Sequence, residues 1–205
     1  NTQPTISSFG NAGFHLKYEN SGNLGLDSSG NSLNMTASGT VTQNVDNPSN
    51  NFATLNPLYT IEYKSAFLPT NGLTTANITH SNWNTIPCTL AASSGKWYFE
   101  GYGHTNGNNY VHYGITSQEK MNANRTQPES EIQTNSNGYA IGYYGYNGNQ
   151  YYSTTSASTS AAYGNSYGSS DYIGIFMDLD NNKLYFAKNG AIQNSGTGIS
   201  ITDPS

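Results

Sequence analysis

Apolar and polar residues alternate in short runs along this chain, and no stretch repeats with the 3.6-residue period of a helix. The clearest run is DYIGIFMDLDNNKLYFAKNG at residues 171–190. It predicts a strand over Tyr172–Met177, a polar turn over Asp178–Asn182 and a second strand over Lys183–Lys188. Asn189-Gly190 is a dipeptide suited to positive φ, so we expect it to end the second strand.

Other alternating segments predict further strands separated by turns rich in Gly and Asn. These segments are Tyr59–Phe67, Trp97–His104, Tyr110–Thr116, Gly138–Tyr146 and Gln150–Thr154. We expect the second and third of them to form one hairpin and the last two another, with a turn at Leu68–Gly72. Many short strands with close turn signals predict an all-β, antiparallel β-sandwich with essentially no helix.

The predicted hairpin around Asn147-Gly148 brings tyrosines together. If these two residues alone form the turn, Tyr144 lies opposite Tyr151 and Tyr143 lies opposite Tyr152. Such cross-strand aromatic pairs stabilise a sheet by up to ~1 kcal/mol each.

Two longer segments lack this alternation. Gln118–Asn137 is polar and contains Pro128, whereas Thr155–Ser170 is low in complexity and consists mainly of Ser, Ala, Gly and Tyr. We expect the first to be a long loop and the second to be an exposed connection.

The composition indicates an unusual surface. Of the 205 residues, 9% are charged and 34% are hydrophobic, while the chain contains 22 Gly and 17 Tyr. Typical domains have ~25% charged and ~45–50% apolar residues. The surface is therefore expected to be neutral, hydrogen-bonding and aromatic, and the aromatic residues can still bury a core.

Charge and hydropathy exclude several classes of partner. The net charge is −5 and no basic cluster is present, which argues against nucleic acid. No apolar run approaches the ~18 residues of a membrane span, so no membrane insertion is expected. The chain starts without Met and without a visible signal peptide, and we interpret it as processed or as a fragment. The single cysteine, Cys88, is expected to be a small buried hydrophobic residue.

From residue 95 onward the chain resembles the SPRY family, a concanavalin-like β-sandwich that is used for binding. The matching elements stand in family order and are specific as an ordered set. They are GKWYFE at 95–100, Gly114-Ile115, Gly138-Tyr139-Ala140, DYIGIFMDLD at 171–180, LYF at 184–186 and KNG at 188–190. The resemblance implies a jelly roll of the SPRY type over residues 59–205. Residues 1–58 are turn-rich and are expected to pack on the sandwich or to contribute strands to it.

The resemblance stops at the end of the chain. Family members continue past the position of Thr202–Ser205 into final strands, and this chain stops before them. An unpaired sheet edge invites aggregation. We therefore expect a fragment that is truncated at its C-terminal strands; the alternative is that a neighbouring chain completes the sheet.

The segment before the sandwich resembles the N-terminal part of virion proteins of tailed bacteriophages. The resemblance is carried by FHLKY at 14–18, LGLDSSGNSLN at 24–34 and DNPSNNFATLNPL at 46–58. It implies an extracellular place on the virion surface, among other virion proteins and as a homo-oligomer, as in tail-fibre-type proteins.

We expect no catalytic residue, no cofactor and no metal, so the chain is not predicted to be an enzyme. Glycoside hydrolysis needs two carboxylates that face each other across a cleft. Asp178 and Asp180 would share a strand face if the strand reached them, but they lie at the turn of the predicted hairpin. A Ca²⁺ ion near them stays an open alternative, because the turn offers oxygen ligands but lacks the Gly and distant Glu of an EF-hand.

Tyrosine and asparagine in the loops form the candidate binding site. Tyr gives rigid, amphipathic contact area and Asn gives adaptable hydrogen bonds, which is the composition of evolved binding loops. The alternative is that half or more of the tyrosines pack in the core or on the sheets. Tyr163 and Tyr167 are counted among the displayed tyrosines. The predicted ligand-binding residues are Tyr102, Tyr110, Tyr144, Tyr146, Asn147, Asn149, Tyr151 and Tyr152.

The sequence thus predicts a non-enzymatic adhesin on a bacteriophage virion that attaches to a glycan or protein of the host envelope. Many copies would strengthen a weak individual site. Two alternatives stay open: a purely structural capsid or tail decoration protein without a ligand, and a polysaccharide depolymerase.

Overall fold

The computed structural model describes residues 6, 8–43, 52–57, 67–70, 73–78, 85–102, 109–123, 138–154 and 157–201. The chain forms two compact units. The first contains residues 1–59, 65–78 and 86–90, and the second contains residues 60–64, 79–85 and 91–205.

In the first unit, strands β1 (Phe67–Thr70) and β2 (Thr75–Ile78) pair antiparallel. The predicted turn at Leu68–Gly72 is wrong for residues 68–70, which lie in β1. Proline has no N–H, but an edge strand has a side that needs no ladder bond, so Pro69 is compatible with β1. The predicted strand Tyr59–Phe67 lies outside the described residues except for Phe67.

The turn-rich part of the first unit is organised by the carboxylate of Asp27. It accepts backbone N–H groups from His15 and Ser29, both at 2.8 Å, and from Leu33 at 2.9 Å. These bonds favour the ionised form, and the one from His15 is the largest cause of a pKa far below the usual range of Asp. One side chain therefore joins three separate parts of a segment that has little regular structure.

Cys88 also lies in the first unit, where it forms an isolated bridge with Leu55. Cys88 is exposed, so the expectation of a buried cysteine is wrong. Its neighbour Pro87 is buried instead.

The second unit is an antiparallel β-sandwich of two sheets, with one short helix among its described residues, α1 (Gln118–Ala123). The five-stranded sheet contains β3 (Lys96–Tyr102), β8 (Tyr172–Asp178), β9 (Lys183–Lys188), β10 (Ala191–Ile192) and β11 (Ile199–Ser200). The four-stranded sheet contains β4 (His112–Thr116), β5 (Ala140–Tyr144), β6 (Asn149–Ser153) and β7 (Ser158–Ala162), in that order. The predicted fold class is confirmed.

The predicted hairpin over residues 171–190 is confirmed as β8 and β9. Asp178 lies opposite Lys183, and Asn182 has a φ of 53°, which suits the turn between them. Asn189 and Gly190 both have positive φ, at 49° and 81°, and lead directly into β10. These are positions where Asn and Gly are favoured because other side chains would be strained.

The predicted hairpin between residues 97–104 and 110–116 is wrong. β3 pairs with β8 and β4 pairs with β5, so the two segments lie in different sheets. The ring of Tyr113 lies directly over Gly101, where a Cβ atom would be 2.1 Å from it, and its hydroxyl donates to the Tyr102 carbonyl at 2.7 Å. Contact across the core, rather than the turn signal, decides the partners of these strands.

The hairpin of β5 and β6 is correct, but its predicted register is wrong. Ile141 lies opposite Tyr152 and Gly142 opposite Tyr151. The turn is longer than two residues, since the N–H of Gly148 donates to the carbonyl of Tyr144 at 2.9 Å. The register shifts by two residues, which preserves the face on which each side chain lies.

The core between the sheets is rich in tyrosine. Tyr143 is fully buried, and its ring lies 4.9 Å from that of Tyr167, 5.4 Å from that of Phe186 and 5.6 Å from that of Tyr163. The other buried members of this cluster are Ile141, Ile173, Ile175, Leu184 and Ile201.

The segment Thr155–Ser170 differs from the predicted exposed connection. It contains β7, and it carries Tyr163 and Tyr167 into the core, so these two tyrosines are not displayed on the surface. The hydroxyl of Tyr167 lies 2.9 Å from the carbonyl of Val111 and 2.6 Å from that of Tyr143, to which it can donate. A buried hydroxyl needs such partners, and here they fix the course of the segment.

We predict that Tyr167→Phe lowers the free energy of unfolding of the second unit by about 1–3 kcal/mol, because buried carbonyl groups lose a donor. Tyr172→Phe is the matched control, since Tyr172 is 53% exposed. Urea unfolding followed by fluorescence measures both. Equal stability of the two variants would show that the Tyr167 hydroxyl does not hold the segment in place.

Candidate functional site

The predicted site centres on the turn of residues 145–148, and this turn is held by main-chain hydrogen bonds on two sides. The N–H of Gly145 donates to the Val111 carbonyl, and the N–H of Tyr167 donates to the Gly145 carbonyl, both at 2.9 Å. The N–H of Gly164 donates to the Gly148 carbonyl, also at 2.9 Å. The turn therefore has a fixed position before any ligand arrives.

Glycine is required at both ends of this turn. A Cβ atom at Gly145 would lie 2.8 Å from the carbonyl oxygen of Asn109. Gly148 has a φ of 72°, and a Cβ atom there would lie 2.1 Å from the carbonyl oxygen of Gly164. Because Gly148 has no side chain, the backbone at Gly164 can approach it closely and support the turn through its hydrogen bond.

Four tyrosines and one histidine form a continuous aromatic surface on the outer face of the four-stranded sheet, which we name the tyrosine cluster: Tyr110, His112, Tyr144, Tyr146 and Tyr151. Tyr146 is 57% exposed and Tyr110 is 43% exposed, whereas Tyr144 is 8% exposed. The rings of Tyr110 and Tyr146 are 5.3 Å apart, and Tyr146 lies 6.0 Å from Tyr144. Tyr144 and Tyr151 meet edge to face at 5.4 Å. Two exposed rings are thus supported by a layer of packed rings.

His112 belongs to that supporting layer. Its ring stacks on Tyr144 at 4.3 Å with an interplanar angle of 5°, and it meets Tyr151 edge-on at 5.2 Å. Burial lowers the pKa of His112 to about 3, so the imidazole is neutral at ordinary pH. Burial also raises the pKa of Tyr144 to about 12, so both stacked rings are uncharged.

The two predicted asparagines lie at the turn beside this surface. Asn147 is exposed, and its side-chain oxygen accepts the backbone N–H of Asn149 at 3.0 Å. Its amide group also carries two N–H donors. The structure thus brings together six of the predicted residues: Tyr110, Tyr144, Tyr146, Asn147, Asn149 and Tyr151.

Two predicted residues lie elsewhere. Tyr152 is on the opposite face of β6 from Tyr151 and packs against the core. Tyr102 lies in the other sheet, where its ring is 4.6 Å from that of Tyr172. Alternation along a strand separates adjacent side chains, so Tyr151 and Tyr152 were never able to share a surface.

Tyr102 is part of a second exposed aromatic surface, on the outer face of β3 and β8, which we name the sheet patch: Tyr98, Glu100, Tyr102, Tyr172 and Phe176. Tyr98 pairs with Phe176 at 4.6 Å, and the hydroxyl of Tyr98 donates to the carboxylate of Glu100. Gly174 lies opposite Glu100 between the two aromatic pairs, and a Cβ atom there would be 3.2 Å from the rings of both Tyr98 and Phe176. The absent side chain of Gly174 lets these rings lie close to the sheet.

Asp178 and Asp180 have structural partners. Asp178 forms a 3.2 Å ion pair with Lys96 and accepts a 2.9 Å hydrogen bond from the Asn181 amide. These contacts, the Asn181 bond first, lower the pKa of Asp178. Asp180 accepts the N–H of Gly95 at 2.8 Å. Within the described part of the chain, no group of three or more His, Cys, Asp or Glu residues is placed to hold a metal ion.

The sequence did not predict that the ring of His112 packs beneath the tyrosines, and it did not predict most of the sheet patch. The signal for His112 was present, because its position on β4 has the same face as Tyr144 on β5. The signal for the sheet patch was the alternation of Tyr98, Glu100 and Tyr102 with the inward Phe99. Neither signal could be used without the strand partners.

Residues 96–202 match a family model described as the SPRY domain, and this region is just over half of the 205-residue chain. A search of curated proteins gave no match. In the part of the chain that the structure describes, no helix is long and apolar enough to cross a membrane.

We predict that Gly148→Ala destabilises the second unit by more than Gly190→Ala does. Both residues have positive φ, at 72° and 81°, so both substitutions carry a similar backbone strain of about 1–2 kcal/mol. A Cβ atom at Gly148 would clash with the carbonyl oxygen of Gly164, whereas nothing lies within 4 Å of a Cβ atom at Gly190. Urea unfolding of the two variants isolates the contribution of the close contact; equal losses would contradict it.

We also predict that acid weakens the fold through His112. Its folded pKa of about 3 lies below the ordinary value of 6.5, so the unfolded chain binds more protons between these values. The free energy of unfolding should therefore be constant above pH 6.5 and fall below it, by up to ~1.4 kcal/mol per pH unit. The lowered pKa values of Asp171 and Asp178 act only near 3.8 and below, so urea unfolding between pH 6.5 and 4.5 reports on His112.

The test variant is His112→Phe, which keeps a flat ring but removes the titrating group. It should reduce the slope of stability against pH in this window. His15→Phe removes a histidine from the other unit and should leave the slope of the second unit unchanged. A slope that is identical in all three proteins would contradict the assignment to His112.

Proposed function

This chain belongs to the SPRY domain family, and on that premise we propose that it is a non-enzymatic attachment protein that binds a glycan through the tyrosine cluster. The observation that carries the proposal is the pair of exposed rings, Tyr110 and Tyr146, beside the amides of Asn147 and Asn149. Aromatic faces stack on the C–H faces of sugar rings, and amides bond to hydroxyl groups. Tyr146 and Asn147 place both kinds of group on one turn, and Tyr110 packs against Tyr146.

The electrostatics of the cluster favour a neutral ligand. Tyr144 and His112 are both uncharged at ordinary pH, because burial raises the pKa of the first and lowers that of the second. A phosphate or sulfate group would find no cation among the five members of the cluster. A neutral saccharide loses less hydration on binding than a charged ligand does, so it fits this surface better.

For the biological setting, we propose the surface of a bacteriophage particle, with a glycan of the host envelope as the target. This part of the proposal rests on the resemblance of residues 14–58 to virion proteins. A weak single site would then be strengthened by many copies on one particle. Partners in this setting would be the host glycan and other virion proteins.

The sheet patch favours a second candidate function, a structural role on the particle. Its rings Tyr98, Tyr102 and Tyr172 are each about half exposed, and clustered exposed aromatic side chains are typical of protein interfaces. A decoration protein would cover this face with another virion protein. We do not extend the proposal to polysaccharide cleavage, because the contacts of Asp178 and Asp180 serve the scaffold hairpin.

We predict that Tyr146→Ala and Tyr110→Ala each weaken glycan binding by about tenfold or more, as expected for exposed aromatic anchors. Both side chains are exposed, so the fold should stay intact. The measurement is biolayer interferometry of the whole chain against immobilised lipopolysaccharides and capsular polysaccharides from a panel of bacteria. Tyr172→Ala is the matched control, because it removes an equally exposed tyrosine from the sheet patch.

The outcomes separate the two candidates. Loss of glycan binding in Tyr146→Ala and Tyr110→Ala, but not in Tyr172→Ala, supports attachment through the tyrosine cluster. Loss with Tyr172→Ala alone would move the glycan site to the sheet patch. Failure of the unaltered chain to bind any glycan on the panel would contradict glycan attachment and favour the structural role.

A further inference from the structure

Among the described strands, β7 lies at one edge of the four-stranded sheet. It pairs with β6 on one side, and no other described strand lies on its second side. All five of its residues, Ser158 to Ala162, are exposed. A row of free N–H and C=O groups along such an edge is a template for another strand.

The usual protection of an edge strand is missing from β7. Its sequence is Ser-Thr-Ser-Ala-Ala, without a charge and without proline. By contrast, β3 lies at an edge of the five-stranded sheet and carries Lys96 and Glu100. Charged side chains on an edge prevent pairing between molecules, so β3 is protected and β7 is not.

The hydrogen-bond pattern shows which groups of β7 point outward. The N–H of Thr154 donates to the carbonyl of Ala157 at 2.8 Å, so these residues form a hydrogen-bonded pair in register with β6 and β7. Bonded and non-bonded positions alternate along an antiparallel strand. Ser158, Ser160 and Ala162 therefore direct their backbone N–H and C=O groups away from β6.

We propose that β7 pairs antiparallel with the β7 strand of a second copy of this chain, about a two-fold axis at Ser160. Ser160 then lies opposite its own copy, and Ser158 lies opposite Ala162. Each of these pairs exchanges two N–H···O bonds, and all of them use the outward groups.

A second copy fits this edge because the strand is complementary to itself. Thr159 lies opposite Ala161 in the same arrangement, so only small, neutral side chains meet on either face. Neither like charges nor large side chains oppose one another, which is what an isologous two-fold contact requires. One strand pair buries little area, so the dimer should be reversible and depend on concentration.

The pairing would place two tyrosine clusters on one surface. Tyr151 lies opposite Ser160, so the two side chains are on the same face of the sheet. A two-fold axis perpendicular to the sheet keeps this face common to both copies. Tyr151 and its counterpart would be three strand spacings apart, about 14 Å. The dimer goes beyond the proposed function and does not depend on it, but it would make any ligand site of the cluster bivalent.

Disulfide trapping tests the register. In a Cys88→Ser background, which removes the natural thiol, Ser160→Cys would place two thiols opposite each other with Cα atoms about 5.5 Å apart. This separation is within the range of a disulfide. The control is Ser169→Cys, at an exposed loop residue. We expect at least fivefold more disulfide-linked dimer with Ser160→Cys under mild oxidation; equal yields would overturn the register.

Sedimentation equilibrium over a range of concentrations tests the dimer itself in the unaltered chain. Ser160→Lys places like charges opposite each other and should give a monomer, whereas Ser169→Lys makes the same change in net charge and should keep the dimer. Circular dichroism checks that both variants fold. A monomer at every concentration of the unaltered chain, or a dimer that resists Ser160→Lys, would overturn the proposal. Neither measurement involves a glycan, so failure here is distinct from failure of attachment.

Discussion

Every hydroxyl group that a tyrosine-rich core buries must find a hydrogen-bond partner, and most of this structure follows from that constraint. Tyr167 turns its hydroxyl to the carbonyls of Val111 and Tyr143, and Tyr143 donates to the carbonyl of Asn165. Tyr163 accepts the N–H of Phe186 at 3.1 Å. The bonds to Tyr143, Asn165 and Phe186 each join a loop to a strand, and the bond to Val111 joins two loops. An aliphatic core would fill the same volume but would leave the loops without fixed positions, so here the polar ends of the core side chains connect the scaffold to the surface.

This connection explains how the tyrosine cluster is built. Tyr167 is anchored in the core, its own N–H holds Gly145, and Gly164 in the same segment holds Gly148. The turn that carries Tyr146 is thereby fixed from behind. On the outer face, the packed rings of Tyr144 and His112 lie beneath the exposed rings of Tyr110 and Tyr146. The two exposed tyrosines would therefore lose little conformational freedom on binding a ligand. A rigid surface of this kind suits ligands that offer few strong contacts.

The sequence was sufficient to predict the fold class, the β8–β9 hairpin and the positive φ of Asn189 and Gly190, because these depend on local alternation and turn chemistry. It failed where contacts between residues far apart in the sequence determine which strands pair. β3 and β4 alternate as a hairpin would, yet the packing of Tyr113 over Gly101 places them in opposite sheets. The composition indicated many displayed tyrosines, but burial of a tyrosine depends on its partners, and Tyr163 and Tyr167 resemble the exposed ones in sequence. Six of the eight predicted site residues lie together because a shift of register by two residues leaves the faces unchanged.

The way in which the turn of residues 145–148 is held has a consequence for how the protein can change over time. The bonds that tie it to the neighbouring segments come from main-chain atoms, and its two glycines allow the close backbone contacts, whereas the side chains of Tyr146 and Asn147 are exposed. Under the proposed attachment function, substitutions at these two positions would alter what the surface recognises and leave these main-chain bonds in place. Recognition and the anchoring of the turn would then depend on different atoms of one short segment, so the binding specificity could change while the fold is retained.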